Sequence, residues 1–388
     1  METPVERKVL YKHELNSEIC LIVGTRPGIV MFSPVILELK RRKINHFIIH
    51  TGQHYSPNMD ADFFRDLQLP AVDYRLEGVA EKKTHGGQTA RMIEGIESIL
   101  MERKPKIVLV GGDANTNLAG ALAARKLQLL VGHIEAGERS YDWSMPEEHN
   151  RVMIDHISDY LFVTGKGSLG NLKKERIQGE VFETGNPIVD ASLQNYELAK
   201  TTSTILKKLK LAQGSYALLT LHREENVDHK DKLINALEGV SKAAKKTGIP
   251  VHFFAHPRTE KRLMEFDLLQ WAKALPELVI HEAVGYLDFL HLLGSSRIVF
   301  TDSGGVQQEA CIHKIPCVTL RDNTEWTETI DIGANKLTGC NQEVIVNSTI
   351  ESLNSKNDWN IPFGAGDAAS RIIDIVVDRL SDEQDSLK

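Results

Sequence analysis

Only four cysteines occur in 388 residues, Cys20, Cys311, Cys317 and Cys340, and none forms a C-x-x-C pair or stands at zinc-ligand spacing with histidine. That excludes a disulfide scaffold and a structural zinc module, and leaves packed free thiols as the expectation. No uninterrupted apolar run reaches the ~20 residues needed to cross a bilayer. The first 18 residues are polar and of mixed charge, so neither a membrane span nor a secretory leader is expected, and the chain reads as cytoplasmic. Long lysine or arginine runs are also missing, and 53 acids outnumber 46 bases for a net charge of -7. A general grip on a nucleic-acid backbone is thereby excluded, while local phosphate binding is not. There are no short repeats and no low-complexity tracts.

What is present is an ordinary globular composition, 41% hydrophobic and 26% charged, in a length that at ~150 residues per domain holds two or three domains. Val/Ile/Leu-rich runs alternate with longer amphipathic stretches. Ile19 to Val23, Phe47 to His50, Ile107 to Val110, Leu130 to Ile134, Tyr160 to Val163 and Val181 to Glu183 read as parallel strands buried on both faces. After a polar, Lys-rich segment from Glu197 to Gly214 the rhythm restarts at Ala217 to Leu221, Val251 to Ala255, Leu278 to His281, Ile298 to Thr301 and Cys317 to Leu320. The pattern predicts an α/β chain of two doubly wound, Rossmann-like domains facing a central cleft: residues 1–196, residues 197–365, and a closing helix in 366–388 that packs across both. Such sheets bind ligands beyond the carboxyl ends of their strands.

The chemistry-bearing residues follow strands. Gly24-Thr25-Arg26-Pro27-Gly28 reads as a tight strand-to-helix turn with Pro27 in the first helical position and a guanidinium beside an anion-favouring helix N-terminus, although an ordinary turn fits too. Ser303-Gly304-Gly305 at the next such junction exposes consecutive amides to a diphosphate, and Glu309 can accept from two vicinal hydroxyls. The alternative is a helix capped by Ser303 with Glu309 solvated. Asp113, Glu135 and Glu147 follow successive first-half elements and are candidate acids and bases. Against this, Asp113 can cap the next helix, Ser144-x-x-Glu147 spells a capping box, and Glu147 and Arg151 stand at ion-pair spacing. His222, with Arg223, and His256 end strands of the second half, where a positive charge could neutralise a leaving diphosphate.

These residues stand within eight ordered motifs: Gly24-Thr25-Arg26-Pro27, Thr51-Gly52-Gln53-His54-Tyr55, Gly112-Asp113, Gly132 through Gly137, Met145 through Arg151, Thr184-Gly185-Asn186, Leu221-His222-Arg223 and Thr301 through Glu309. In this the chain resembles the non-hydrolysing UDP-N-acetylglucosamine 2-epimerases over nearly its whole length. The resemblance implies a GT-B fold, a cytoplasmic homodimer, no cofactor or metal, and interconversion of UDP-GlcNAc with UDP-ManNAc through a bound 2-acetamidoglucal. It assigns catalysis to Asp113, Glu135, Glu147 and His222. It assigns substrate contacts to Arg26, Pro27, Arg151, Asn186, Arg223, His256, Tyr286, Ser303, Gly304, Gly305, Glu309 and Arg321, and an allosteric role to Gln53 and His54. Several positions depart from the family's pattern: Gly28 and Met31 replace a Glu and a Lys, Ala114 a Thr, Glu138 an apolar residue and Trp326 an Arg, while Glu224 follows Arg223. A modified UDP-2-acetamido sugar (a diacetamido uronic acid or a 6-deoxy derivative) and a GT-B glycosyltransferase are the alternatives.

Overall fold

The computed structural model describes residues 18–53 and 63–386. The first sheet contains β1 (Ile19–Val23), β2 (His46–His50), β3 (Tyr74–Arg75), β4 (Ile107–Gly111), β5 (Leu130–Ala136), β6 (Tyr160–Val163) and β7 (Glu180–Glu183), in the order β3-β2-β1-β4-β5-β6-β7. The second contains β8 (Ala217–Thr220), β9 (Val251–Ala255), β10 (Leu278–Glu282), β11 (Ile298–Thr301), β12 (Cys317–Thr319) and β13 (Asn335–Leu337), in the order β10-β9-β8-β11-β12-β13. Every pairing is parallel.

Period-2 patterning explains how each sheet is buried. In β1, Ile19, Leu21 and Val23 join the core under the helices Arg26–Arg42 and Ala368–Ser386, while Cys20 and Ile22 join the opposite core under His85–Arg103 and Asn115–Lys126. A strand covered on both faces needs an unbroken apolar run, which is what β1 and β4 carry. β3 and β13 have no such run and were not anticipated; two- and three-residue edge strands give no periodic signal.

Helix Pro187–Thr202 runs through the expected first boundary, and the Lys-rich segment contributes a second short helix, Ile205–Leu209. The closing helix differs from expectation. It lies chiefly on the first lobe, where Arg371 donates to the Glu183 carbonyl at 2.7 Å and Arg379 pairs with Glu180 at 2.6 Å. Helix Pro187–Thr202 makes the bridge instead, packing on Arg26–Arg42 in one lobe and on Tyr286–Ser295 in the other.

Each sheet winds outward in both directions from one strand pair, β1/β4 in the first lobe and β8/β11 in the second. Loops leaving such a pair diverge and leave a crevice at the carboxyl ends. The segments after β1, β4, β8 and β11 begin with Gly24, Gly112, Leu221 and Asp302, so the topology alone brings the motifs of both halves to these crevices.

Candidate active site

Beyond β1, a Cβ on Gly24 would sit 2.0 and 2.3 Å from the Thr51 and Thr116 hydroxyls, so only glycine fits. Thr25 caps helix Arg26–Arg42 by accepting from Gly28 N at 3.3 Å. Arg26 takes the first helical position and Pro27 the second, one later than the sequence suggested; neither position needs an intrahelical amide donor. The Arg26 charge reaches His256 in the opposite lobe, whose pKa is lowered by burial first, then by His222 and Arg258, with Arg26 adding.

Gly112 turns the chain after β4 at φ +81°. Asp113 caps nothing, because helix Asn115–Lys126 starts from Ala114 without a side-chain cap of its own. Arg151 instead donates to Asp113 Oδ2 at 2.5 Å and to Glu148 Oε2 at 2.8 Å. The expected Glu147–Arg151 pair therefore does not form. Nor does the capping box, since the Ser144 hydroxyl donates to Asp142 at 2.6 Å and helix Pro146–Ile157 begins from Met145. The structural acid is Glu148, which accepts from Ser140 N and Tyr141 N at 2.9 and 3.0 Å. Glu147 is left facing the cleft.

Glu135 occupies a bulge in β5 with φ +67°. Left-handed backbone costs a non-glycine residue about 1–2 kcal/mol and persists only where the surroundings hold it. Asn186 Nδ2 donates to Glu135 Oε2 at 2.7 Å. Burial, followed by the charges of Glu138 and Asp113, pushes this carboxyl up to about 8, so it holds a proton at neutral pH. Behind the loop lies a buried network that sequence reasoning missed. His133 sets one ring nitrogen on Asp155 at 2.7 Å and the other on the Gly112 carbonyl at 3.1 Å, while Asp155 also accepts from Arg139 at 2.7 Å and from Gly137 N at 3.1 Å. The only sequence signal was a histidine and an aspartate in otherwise apolar surroundings.

In the second lobe the hub is Asp302, fully buried at the end of β11. It accepts from His222 N at 3.0 Å, Arg223 N at 3.0 Å and Asn226 Nδ2 at 3.2 Å, and lies 3.1 Å from His222 Nδ1. The histidine is thus oriented by a carboxylate, as an acid or base requires. His256 caps helix Pro257–Glu265, its ring centroid 5.5 Å from that of His222. Ser303 precedes helix Gly304–Ile312 but makes no side-chain cap, leaving the amides of that turn without one, and Glu325 lies directly over Gly304, where a Cβ would meet its carboxylate at 2.1 Å. Arg321 holds Glu325 at 2.9 Å, with Arg223 at 3.8 Å. Glu309 is buried rather than solvated; Tyr286 donates to it at 2.9 Å and burial pushes it up to about 7.

Between the lobes lies a cleft of about 570 Å³, lined by Asp113, Glu138, Glu147 and Arg151 on one side and by Arg223, Arg321, Glu325 and Glu328 on the other. The remaining sites fall outside this wall. Asn186 is wholly buried behind Glu135. The Gln53 oxygen accepts from Thr116 N and from the Thr116 hydroxyl, both at 2.8 Å, and so caps helix Asn115–Lys126. His54 lies outside the described residues.

The departures resolve individually. Met31 fills the core against Gly111, Trp326 packs edge-on against Phe363 at 5.3 Å, and Glu224 pairs with Arg258 at 2.6 Å. Glu138 is different. It lines the cleft with no ion-pair partner among the described residues, and burial pushes it up to about 7, with Glu328 adding to the rise while the Thr164 hydroxyl, donating at 2.5 Å, opposes it. A carboxyl whose folded pKa is raised from 4.5 destabilises the fold increasingly as pH rises through 7. Glu138→Gln is therefore expected to stabilise the protein by about 1–3 kcal/mol at pH 8 and much less at pH 5, read from thermal melts at the two pH values.

Two doubly wound lobes with their switch points turned to one cleft, whose walls carry both carboxylates and arginines, define a two-lobed α/β enzyme of the GT-B type. The profile of the UDP-N-acetylglucosamine 2-epimerase family matches residues 37–377. A UDP-N-acetylglucosamine 2-epimerase of Methanocaldococcus jannaschii is 47% identical, the match covering 92% of this chain and 98% of the relative. The crystal structure of a M. jannaschii UDP-GlcNAc 2-epimerase in complex with UDP-GlcNAc and UDP superposes with a TM-score of 0.84 at 47% identity, over 93% of this chain and 99% of that one. A UDP-2,3-diacetamido-2,3-dideoxy-D-glucuronate 2-epimerase of Pseudomonas aeruginosa is 38% identical, over 92% of this chain and 98% of the relative. The chain belongs to the UDP-N-acetylglucosamine 2-epimerase family and is an isomerase.

Proposed function

We propose that the protein interconverts UDP-GlcNAc and UDP-ManNAc without net hydrolysis. The carrying observation is that Asp113, Glu138 and Glu147, from three consecutive first-lobe segments, line one cleft opposite Arg223 and Arg321, with Glu135 close enough behind this wall to feel the charges of Asp113 and Glu138 and with the Gly304 turn beneath Glu325 of the far wall. The C2 hydrogen of the sugar has no neighbouring carbonyl to acidify it, so its removal is coupled to loss of UDP from C1. The C2–H electrons form the C1–C2 double bond, the C1–O bond breaks, and the diphosphate carries the charge away. Return of a proton to the other face of C2 and re-addition of UDP at C1 complete the inversion. The reaction needs one carboxyl charged and one protonated, a role to which the raised Glu135 is suited beside Asp113 and Glu147. It also needs UDP held while it is free, which we assign to Arg26, His222, Arg223 and the Ser303-Gly304-Gly305 turn.

In deuterated water, proton NMR is expected to show deuterium at C2 of both epimers and no build-up of free UDP. Sustained UDP release with free amino sugar, or no exchange at C2, would refute the proposal. Glu138 and Glu328 face the cleft with no ion-pair partner among the described residues, which disfavours a second sugar carboxylate beside them and so the diacetamido uronate reading. The glycosyltransferase reading leaves three carboxyl groups where one base suffices. We assign the uridine end to Glu309 and Tyr286; Glu309→Gln is expected to weaken UDP binding about 10-fold by calorimetry, with the C2 exchange rate at saturation little changed. On the family resemblance we also propose a homodimer of the 43.4 kDa chain, which light scattering tests. Among the described residues no helix is long and apolar enough to cross a membrane.

A further inference from the structure

We propose that Asn186 is a positioning residue for Glu135 and that the returning chain at Phe363–Gly364 holds it in register. Asn186 is wholly buried and each of its polar groups is committed. Its side-chain oxygen accepts from Ile188 N at 3.0 Å and caps helix Pro187–Thr202. Its side-chain nitrogen donates to Glu135 Oε2 at 2.7 Å. Its backbone N–H donates to the Phe363 carbonyl at 2.7 Å.

That last bond needs an unusually close approach. Gly185 has φ +84° and Gly364 φ +112°, and a Cβ on Gly185 would lie 3.0 Å from the Phe363 oxygen and 3.3 Å from Gly364 Cα. Two glycines in left-handed backbone permit the contact that larger residues forbid. Phe363 in turn packs on Trp326, two residues past Thr324 of the cleft wall. One residue therefore ties the helix that bridges the lobes, the segment in which the chain returns from the second lobe to the first, and the carboxyl group standing in strained backbone in β5. With a cap oxygen and a donor nitrogen on the same short side chain, asparagine serves both ends; ionised aspartate has no donor, and serine's one hydroxyl, a bond nearer the backbone, serves the cap without the amide's reach to Glu135. The direction of the electrostatics agrees, since the Asn186 bond favours the charged form of Glu135 against its burial.

The inference rests on the proposed epimerase reading for the role of Glu135 in turnover, but not for its titration. The test uses Asn186→Ser, which keeps an N-cap oxygen and removes the amide donor that reaches Glu135, and Asn186→Asp, which keeps the cap and sets an anion against Glu135. For Asn186→Ser we expect kcat/KM for C2 exchange to fall about 10- to 100-fold, the worth of one hydrogen bond to a reacting charged group. UDP binding by calorimetry should stay within about 3-fold and the melting temperature within a few degrees, as a conserved cap implies. Asn186→Asp should lose more activity than Asn186→Ser. Independently of turnover, Glu135 should titrate at higher pH in Asn186→Ser than in the parent, followed by carboxyl 13C NMR with Glu135→Gln to assign the signal. An unchanged Glu135 titration in Asn186→Ser would overturn the inference, whatever the substrate. Absence of C2 exchange in the parent together with a shifted titration would overturn the epimerase reading and leave Asn186 as the group that positions Glu135.

Discussion

Glu135→Gln is expected to slow exchange of hydrogen at C2 of the UDP-sugar by about 10²- to 10⁴-fold, the usual contribution of a placed acid or base, while UDP still binds. The substitution is close to isosteric, and its amide oxygen can still accept from Asn186 Nδ2, so the bulge in β5 has the same support. What disappears is the proton. A pair of carboxyl groups that must share one proton gives a bell-shaped profile, and the alkaline limb falls where the last proton leaves. With Glu135 raised to about 8 by burial, Glu138 and Asp113, the parent's kcat/KM should decline above that pH, and Glu135→Gln should have no such limb in its residual rate. Forward and reverse profiles should match, because their ratio is a pH-independent equilibrium constant. Measurement by NMR in deuterated water at a series of pH values checks both points, and an unchanged turnover would remove Glu135 from the mechanism.

Asp155→Ala is expected to cost about 3–5 kcal/mol of stability, the range seen when one partner of a buried charged network is removed. Asp155 and the side chains of His133 and Arg139 are essentially inaccessible to water. Without the carboxylate, His133 loses its 2.7 Å partner and Gly137 N its acceptor, and Arg139 keeps only Glu175 and the Glu138 carbonyl. The loop that carries Glu138 and the turn at Gly112–Asp113 lose their common anchor, so activity should fall as well. Burial resists ionisation of Asp155, but His133 and Arg139 outweigh it and hold its carboxyl below the ordinary range. A carboxyl with a depressed folded pKa stabilises above its unfolded pKa and loses that contribution as pH falls through the folded value. The gap between parent and Asp155→Ala in urea unfolding should therefore be full at pH 7 and shrink only in strong acid.

Both expectations depend on features of different legibility in the sequence. The strands were readable because a parallel sheet covered on both faces demands runs such as Ile19–Val23, and the motifs were readable because they follow those runs. Tyr74–Arg75 and Asn335–Leu337 were not, since short edge strands carry no pattern. Whether Asp113 and Glu147 act as caps was open in the sequence, because spacing alone cannot tell which partner an arginine prefers; Arg151 pairs with Asp113 and Glu148, and neither Asp113 nor Glu147 caps a helix. Asp302 stood inside a recognised motif, yet its function as the acceptor for two successive backbone amides depends on β8 and β11 being neighbours. Asn186, read from the motif as a substrate contact, is buried and donates to Glu135, a contact that joins residues 51 positions apart. Burial and long-range pairing set the protonation of Glu135, and neither is written in local sequence.

The most direct test of the account is a crystal structure of Glu135→Gln with UDP-GlcNAc in the cleft. The account predicts the diphosphate against the turn at Gly304 with Arg223 in reach, and side chain 135 and either Asp113 or Glu147 on opposite faces of the ring, each about 3–4 Å from C2 or one water away. A sugar whose C2 is met from one face only, or lies beyond the reach of these side chains, would contradict it.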